Sequence, residues 1–160
     1  INFPTIRIAQ MAMLIHHSTA LFSRILETDN LDELRDLFDV SASEYWDTHY
    51  RFNKISEENR QKTLGETAFN NLVINTIVPL LFVYGDQHLD QAMKDRALQL
   101  LEKLAPESNQ IIRKWNELEI DSRSAFETQA LIQLKNSYCE NKKCLHCQLG
   151  AKIITSDNHS

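Results

Sequence analysis

Apolar positions along this chain recur at steps of three, four and seven, the spacing of one face of an α-helix. Near the start, Ile8, Ile15 and Phe22 stand at seven-residue intervals with Met11, Leu14, Leu21 and Ile25 beside them, and Pro4 suits a first helical turn. The spacing predicts a helix through residues 1–26 whose wide apolar face is half to two-thirds buried. His16 and His17 interrupt that face. Neighbours on a helix point about 100° apart, so one should lie near the core and the other off it. Both are expected as surface or hydrogen-bonded histidines rather than ligands.

A turn at Thr28–Asn30 leads into a predicted short helix, Leu31–Phe38, with Asn30 as cap and Glu33 as the return half of a capping box. Ser41 and Glu44 repeat that arrangement ahead of EYWDTHY, a dense cluster holding Tyr45, Trp46, His49 and Tyr50. The cluster suits either a binding surface with aromatic anchors or a satellite core covering one end of a bundle. Asn53–Thr63, NKISEENRQKT, is polar almost throughout and is expected to be a flexible connector, the place for a seam if the chain has two lobes.

Ala68–Tyr84 is apolar on nearly every side, interrupted only by Asn70, Asn71, Asn75, Thr76 and Pro79. Such a helix is expected to be enclosed on all sides, in a protein core or a membrane. Its uninterrupted run, Ile77–Tyr84, falls far short of the ~20 residues that cross a bilayer. The expectation is therefore the central helix of a soluble bundle, bent where Pro79 removes a backbone donor.

Beyond Gly85, Asp86 is placed to cap a helix with Leu89, Ala92, Met93, Ala97, Leu100, Leu101 and Leu104 on one stripe, ended by Ala105–Pro106. A further helix offers Ile111, Ile112, Trp115 and Leu118. Ser124 and Glu127 make another capping box before Phe126, Ala130, Leu131, Leu134 and Tyr138. No stretch alternates long enough to predict a strand. The pattern predicts an all-α fold, an irregular bundle of about six to eight helices around a buried central helix, residues 68–84. A solenoid-like stack of helical hairpins is the alternative.

Composition agrees. Three Gly and three Pro in 160 residues leave little material for hairpin turns, and 42% hydrophobic content supplies a core. The length suits one domain, with a polar tail at 155–160. A net charge of −5 argues against the whole chain being a nucleic-acid clamp, though not against a local basic patch. No phosphate-cradling glycine loop, G-x-S-x-G or H-E-x-x-H occurs. Glu44 and Asp47 lie near His49, but such pairs are common by chance, so catalysis by this chain alone is not expected.

One segment carries distinct chemistry. YCENKKCLHCQLG places Cys139, Cys144 and Cys147 in the spacing C-x4-C-x2-C, with His146 inside the second interval. Clustered thiolates bind soft metals or do redox work. A closed zinc site needs a fourth ligand, for which His49, His88 or a residue outside the chain is as suitable as His146. The same interval opens the plant-type iron–sulfur pattern, which needs a fourth cysteine that this chain does not have. No bound cofactor is expected by default, with zinc or an iron–sulfur cluster as the exception. Lys135, Lys142, Lys143 and Lys152 surround the thiols, a candidate contact for nucleic-acid phosphates or else a solvated helix end. An odd number of cysteines argues against a disulfide framework and points to the cytoplasm.

The stretches INFPTIRIAQMA, LFDVSASEYWDTHYRF, VINTIVPLLFVYG, IIRKWNELEI and SAFETQALIQLKNSYCENKKCLHCQLG together resemble the C-terminal portion of a family of uncharacterised Bacteroidetes proteins that carries a domain-of-unknown-function label. The resemblance spans essentially the whole chain and transfers no catalytic residue. It implies longer full-length members, whose upstream half looks similar to a metal-dependent nuclease core, and no Asp, Glu or His here matches that pattern. It also fits a chain that opens on Ile1 rather than Met. The expected role is a noncatalytic helical domain that packs against the upstream part of its own polypeptide or another protein, with no membrane partner and with homo-oligomers open. The alternative is an accessory nucleic-acid module.

Overall fold

The computed structural model describes the backbone of residues 3–156 and the side chains of residues 3–152. Among the described residues the fold is all-α apart from one two-stranded hairpin. The chain forms two compact units, Ile1–Leu100 and Leu101–Ser160, so the division falls after Leu100 and not within 53–63.

The first unit begins with α1, Pro4–His17, and α2, Leu21–Glu27. The sequence pattern runs through both as one helix, but Ala20 sits in the left-handed region at φ 57° and breaks it. The buried face of α1 also differs from the one the spacing predicts. Ile6, Ala9, Gln10 and Leu14 are the buried residues of α1, whereas Ile8, Met11 and Ile15 face water. His16 and His17 are both exposed, in the last turn of α1, where a cation suits the negative helix end.

Helix α3, Leu31–Leu37, starts as its capping residues require. Asn30 Oδ1 accepts the Glu33 amide at 3.0 Å, and Glu33 Oε2 accepts the Asp29 amide at 3.0 Å. The Ser41–Glu44 pair does not repeat this. Ser41 forms a β-bridge with Thr63, and Glu44–Thr48 is a 3₁₀ turn leading into strand β1, His49–Arg51. Strand β2, Lys54–Ile55, pairs antiparallel with β1. The polar stretch that resembles a connector is thus tied down by its backbone. Ser56 N donates to Thr48 O, Arg60 N to Asp47 O, and Ala42 N to Lys62 O.

Helix α4, Glu66–Leu72, continues through a π-turn at Val73–Ile77 into α5, Val78–Gln87. The widened turn comes just ahead of Pro79, which has no N–H for the carbonyl four residues earlier. By length and composition this helix could cross a bilayer. In the fold, Phe69, Val73, Ile74, Ile77, Val78, Leu81 and Gly85 form one buried stripe. Leu80, Phe82 and Val83 on the other side are exposed, which corrects the expectation of enclosure on all sides. An all-round apolar sequence does not reveal which face lacks a neighbour.

Gly85 is required where α5 meets the next turn. A Cβ there would lie 2.8 Å from Asp90 O and 2.9 Å from Lys94 Cγ. Helix α5 runs past Asp86, so the cap of α6, Gln91–Lys103, is instead Asp90, whose Oδ1 accepts the Met93 amide at 3.1 Å. Leu89, at φ 55°, falls outside the stripe. Arg96 on α6 donates at 2.7 Å to both Ile25 O and Leu26 O, closing the last turn of α2. Burial pulls this guanidinium below its ordinary pKa, against the opposing pull of Asp29 and Glu33.

In the second unit, α7, Gln110–Asn116, is capped by Asn109, and α8, Ala125–Leu134, by Ser124. Glu127 Oε2 accepts the Arg123 amide at 2.6 Å, completing the second expected box. Leu118 lies beyond the end of α7 and is exposed. A π-turn at Lys135–Cys139 and a 3₁₀ turn at Cys144–His146 lead into α9, Gln148–Ser156. Of the polar tail, Thr155 and Ser156 close α9, and the rest lies outside the described residues.

Candidate functional site

Two adjoining depressions in the first unit share lining residues. One is an apolar groove of about 610 Å³, bordered by Met11 and Leu14 of α1, by Phe38, Val40 and Leu64, and by Ala68 and Leu72 of α4. Arg7 and Gln10 sit at its edge and also line the second depression, a pocket of about 280 Å³. The groove opens onto the outer face of α1, where Ile8 is 69% and Ile15 61% exposed, with Met11 between them. Apolar residues three and four apart on a helix make one continuous patch.

The smaller pocket is polar. Arg60 and Lys62 from the return segment after β2 line it together with Tyr50, Gln10 and Arg7. Lys62 is only 5% exposed, and its Nζ lies 4.2 Å from the centre of the Tyr50 ring and donates to Asp47 O at 3.2 Å. The Tyr50 hydroxyl donates to Glu58 Oε2 at 2.7 Å, and Arg60 Nε stands 3.5 Å from the same oxygen. The hydroxyl first, and Arg60 next, hold the Glu58 carboxyl below its ordinary pKa. The polar pattern of Asn53–Thr63 predicts a linker and does not announce this pocket. The available signal was local: two cations and one glutamate two residues apart, beside an aromatic-rich strand.

The aromatic cluster divides. Trp46 is buried with Ile6, Ala9 and Ala42, Phe3 and Tyr50 packing against it, so it belongs to the core. Tyr45 and Phe52 remain exposed. His49 stacks on Tyr45 at 4.1 Å, with Nδ1 2.8 Å from Tyr45 O, and His88 stacks on Tyr84 at 4.0 Å, with Nδ1 2.9 Å from Tyr84 O. Both rings are thus held by their own helical turns.

At the C-terminal segment, Cys139 and Cys144 are exposed and Cys147 half-buried, all three as free thiols. Among the described residues no group of three or more His, Cys, Asp or Glu side chains is arranged to hold a metal ion, so the thiols do not form a ligand set as placed. Cys147 N donates to Cys144 O at 3.2 Å, a tight turn against which α9 packs closely. A Cβ on Gly150 would lie 2.6 Å from Cys144 O. Lys135 is paired with Glu140, while Lys142 (at φ 52°), Lys143 and Lys152 are exposed.

Residues 1–110 match the model of a family described as a protein of unknown function, DUF2851. The chain belongs to that family. The DUF2851 match takes in the first unit, with its groove and pocket, and ends before α8 and the cysteine- and lysine-bearing segment. Neither the curated proteins nor the solved structures contain a match to this DUF2851 chain.

Proposed function

We propose that this chain is a noncatalytic helical interaction domain of a larger bacterial protein of the cytoplasm, from the Bacteroidetes. Its α1 face and the adjoining groove receive the upstream part of its own polypeptide. One observation carries the reading: Ile8, Met11 and Ile15 stand in water along a full-length helix and run into an apolar groove through Met11. An apolar patch continuous with a groove is the surface an amphipathic segment covers. The resemblance to longer family members motivates the choice of partner.

The upstream part, supplied as a separate labelled chain, is expected to bind saturably. The double variant Ile8→Glu/Ile15→Glu should weaken that binding roughly tenfold or more. It should melt like the parent, because both side chains already face water. Equal affinity in the double variant would overturn the proposal. The nucleic-acid reading is the weaker one, since Lys135 is engaged by Glu140 and only part of the lysine cluster remains to meet phosphates.

A further inference from the structure

We propose that the pocket bounded by Arg7, Arg60, Lys62 and Tyr50 is an anion site that takes a phosphate group, as free phosphate or a small monoester. The inference stands apart from the interaction reading, although Arg7 and Gln10 border both depressions. Lys62 carries it. A buried ammonium is costly unless paired, and it has three donors to satisfy. Here its direct contacts are one carbonyl, Asp47 O at 3.2 Å, and the face of the Tyr50 ring, and the Glu58 carboxylate acts on it only through space. No carboxylate among the described residues comes within ion-pair distance of it. A methionine would fill the same space against Tyr50 without the desolvation cost.

The surroundings add positive potential. Arg60 projects from the same segment and Arg7 from α1, where its guanidinium donates to Gln10 Oε1 at 2.9 Å. Two carboxylates stand nearby. Glu58 is engaged with Tyr50 and Arg60, and Asp47 has a buried Oδ1 with no hydrogen-bond partner. Phe3 and Gly65, the N-cap residues of α1 and of the helix Glu66–Gln87, also line the pocket, and neither caps its helix with a side chain. The cations arrive from two separate elements, which suits a tetrahedral group better than a planar carboxylate held by a single guanidinium fork. At about 280 Å³ the pocket has room for a phosphate and part of its ester.

The test is a titration followed by the backbone amide signals of Tyr50, Lys62 and Gly65. Inorganic phosphate and glycerol 3-phosphate are the two phosphate arms, with acetate and sodium chloride at matched ionic strength as controls. Saturable shifts are expected with at least one phosphate and not with either control, and the tighter phosphate identifies the source. Lys62→Met should raise the midpoint roughly tenfold or more, and Arg60→Gln several-fold. Arg60 has an exposed side chain, so its variant decides the matter if Lys62→Met does not fold. Shifts that track chloride, acetate binding as tight as phosphate, or a midpoint unchanged in Arg60→Gln would overturn the proposal.

Discussion

Tyr50 serves several neighbours at once. Its carbonyl accepts from Thr5 Oγ1 at 2.5 Å, its ring faces Lys62, and its hydroxyl holds Glu58. The last contact has a pH signature. Glu58 titrates below its ordinary value of 4.5 in the fold, so its contribution to stability is present above that value. The contribution is lost as pH falls through the lowered value, where the carboxylate takes up its proton. Tyr50→Phe removes the hydroxyl and keeps the ring against Lys62. The variant is expected to be slightly less stable than the parent at about pH 7, with the gap closing by about pH 2, as read from urea midpoints. A gap that persists unchanged in acid would show that the hydroxyl acts through something other than Glu58.

Along the long helix Glu66–Gln87, two neighbouring apolar residues should behave oppositely. Leu81 is 0% exposed and Val83 52% exposed. Leu81→Ala should cost about 2–5 kcal/mol and Val83→Ala less than about 0.5 kcal/mol, measured by denaturant unfolding. Similar large losses at both would restore the fully enclosed rod that the sequence suggests. Elements announced by a side chain with one job were legible beforehand. Asn30 with Glu33 and Ser124 with Glu127 make the hydrogen bonds their spacing implies, because a cap acts within one turn of its own helix. Features decided by distant neighbours were not legible. Alanine is the strongest helix former, so nothing local signals that Ala20 turns left-handed and separates α1 from α2. Asp86 and Asp90 are equally good caps by type, and only the length of α5 selects Asp90. The pocket brings Arg7 to residues more than fifty positions away, across a stretch whose polarity mimics a linker.

At the scale of the whole molecule, the DUF2851 match and the candidate surfaces coincide. Both depressions lie within residues 1–110, and the cysteine-bearing segment lies outside them. The first unit is built with its apolar residues in excess of what its own core covers: Ile8, Met11 and Ile15 on α1, and Leu80, Phe82 and Val83 on α5. Such an exposed apolar face is the surface that the proposed partner would cover. Hydrogen–deuterium exchange compared between this chain alone and the longer polypeptide tests that directly. Slower exchange in α1 and in residues 64–75 of the longer polypeptide is the expected result. Identical exchange across both segments would contradict the claim that the groove is an interaction surface.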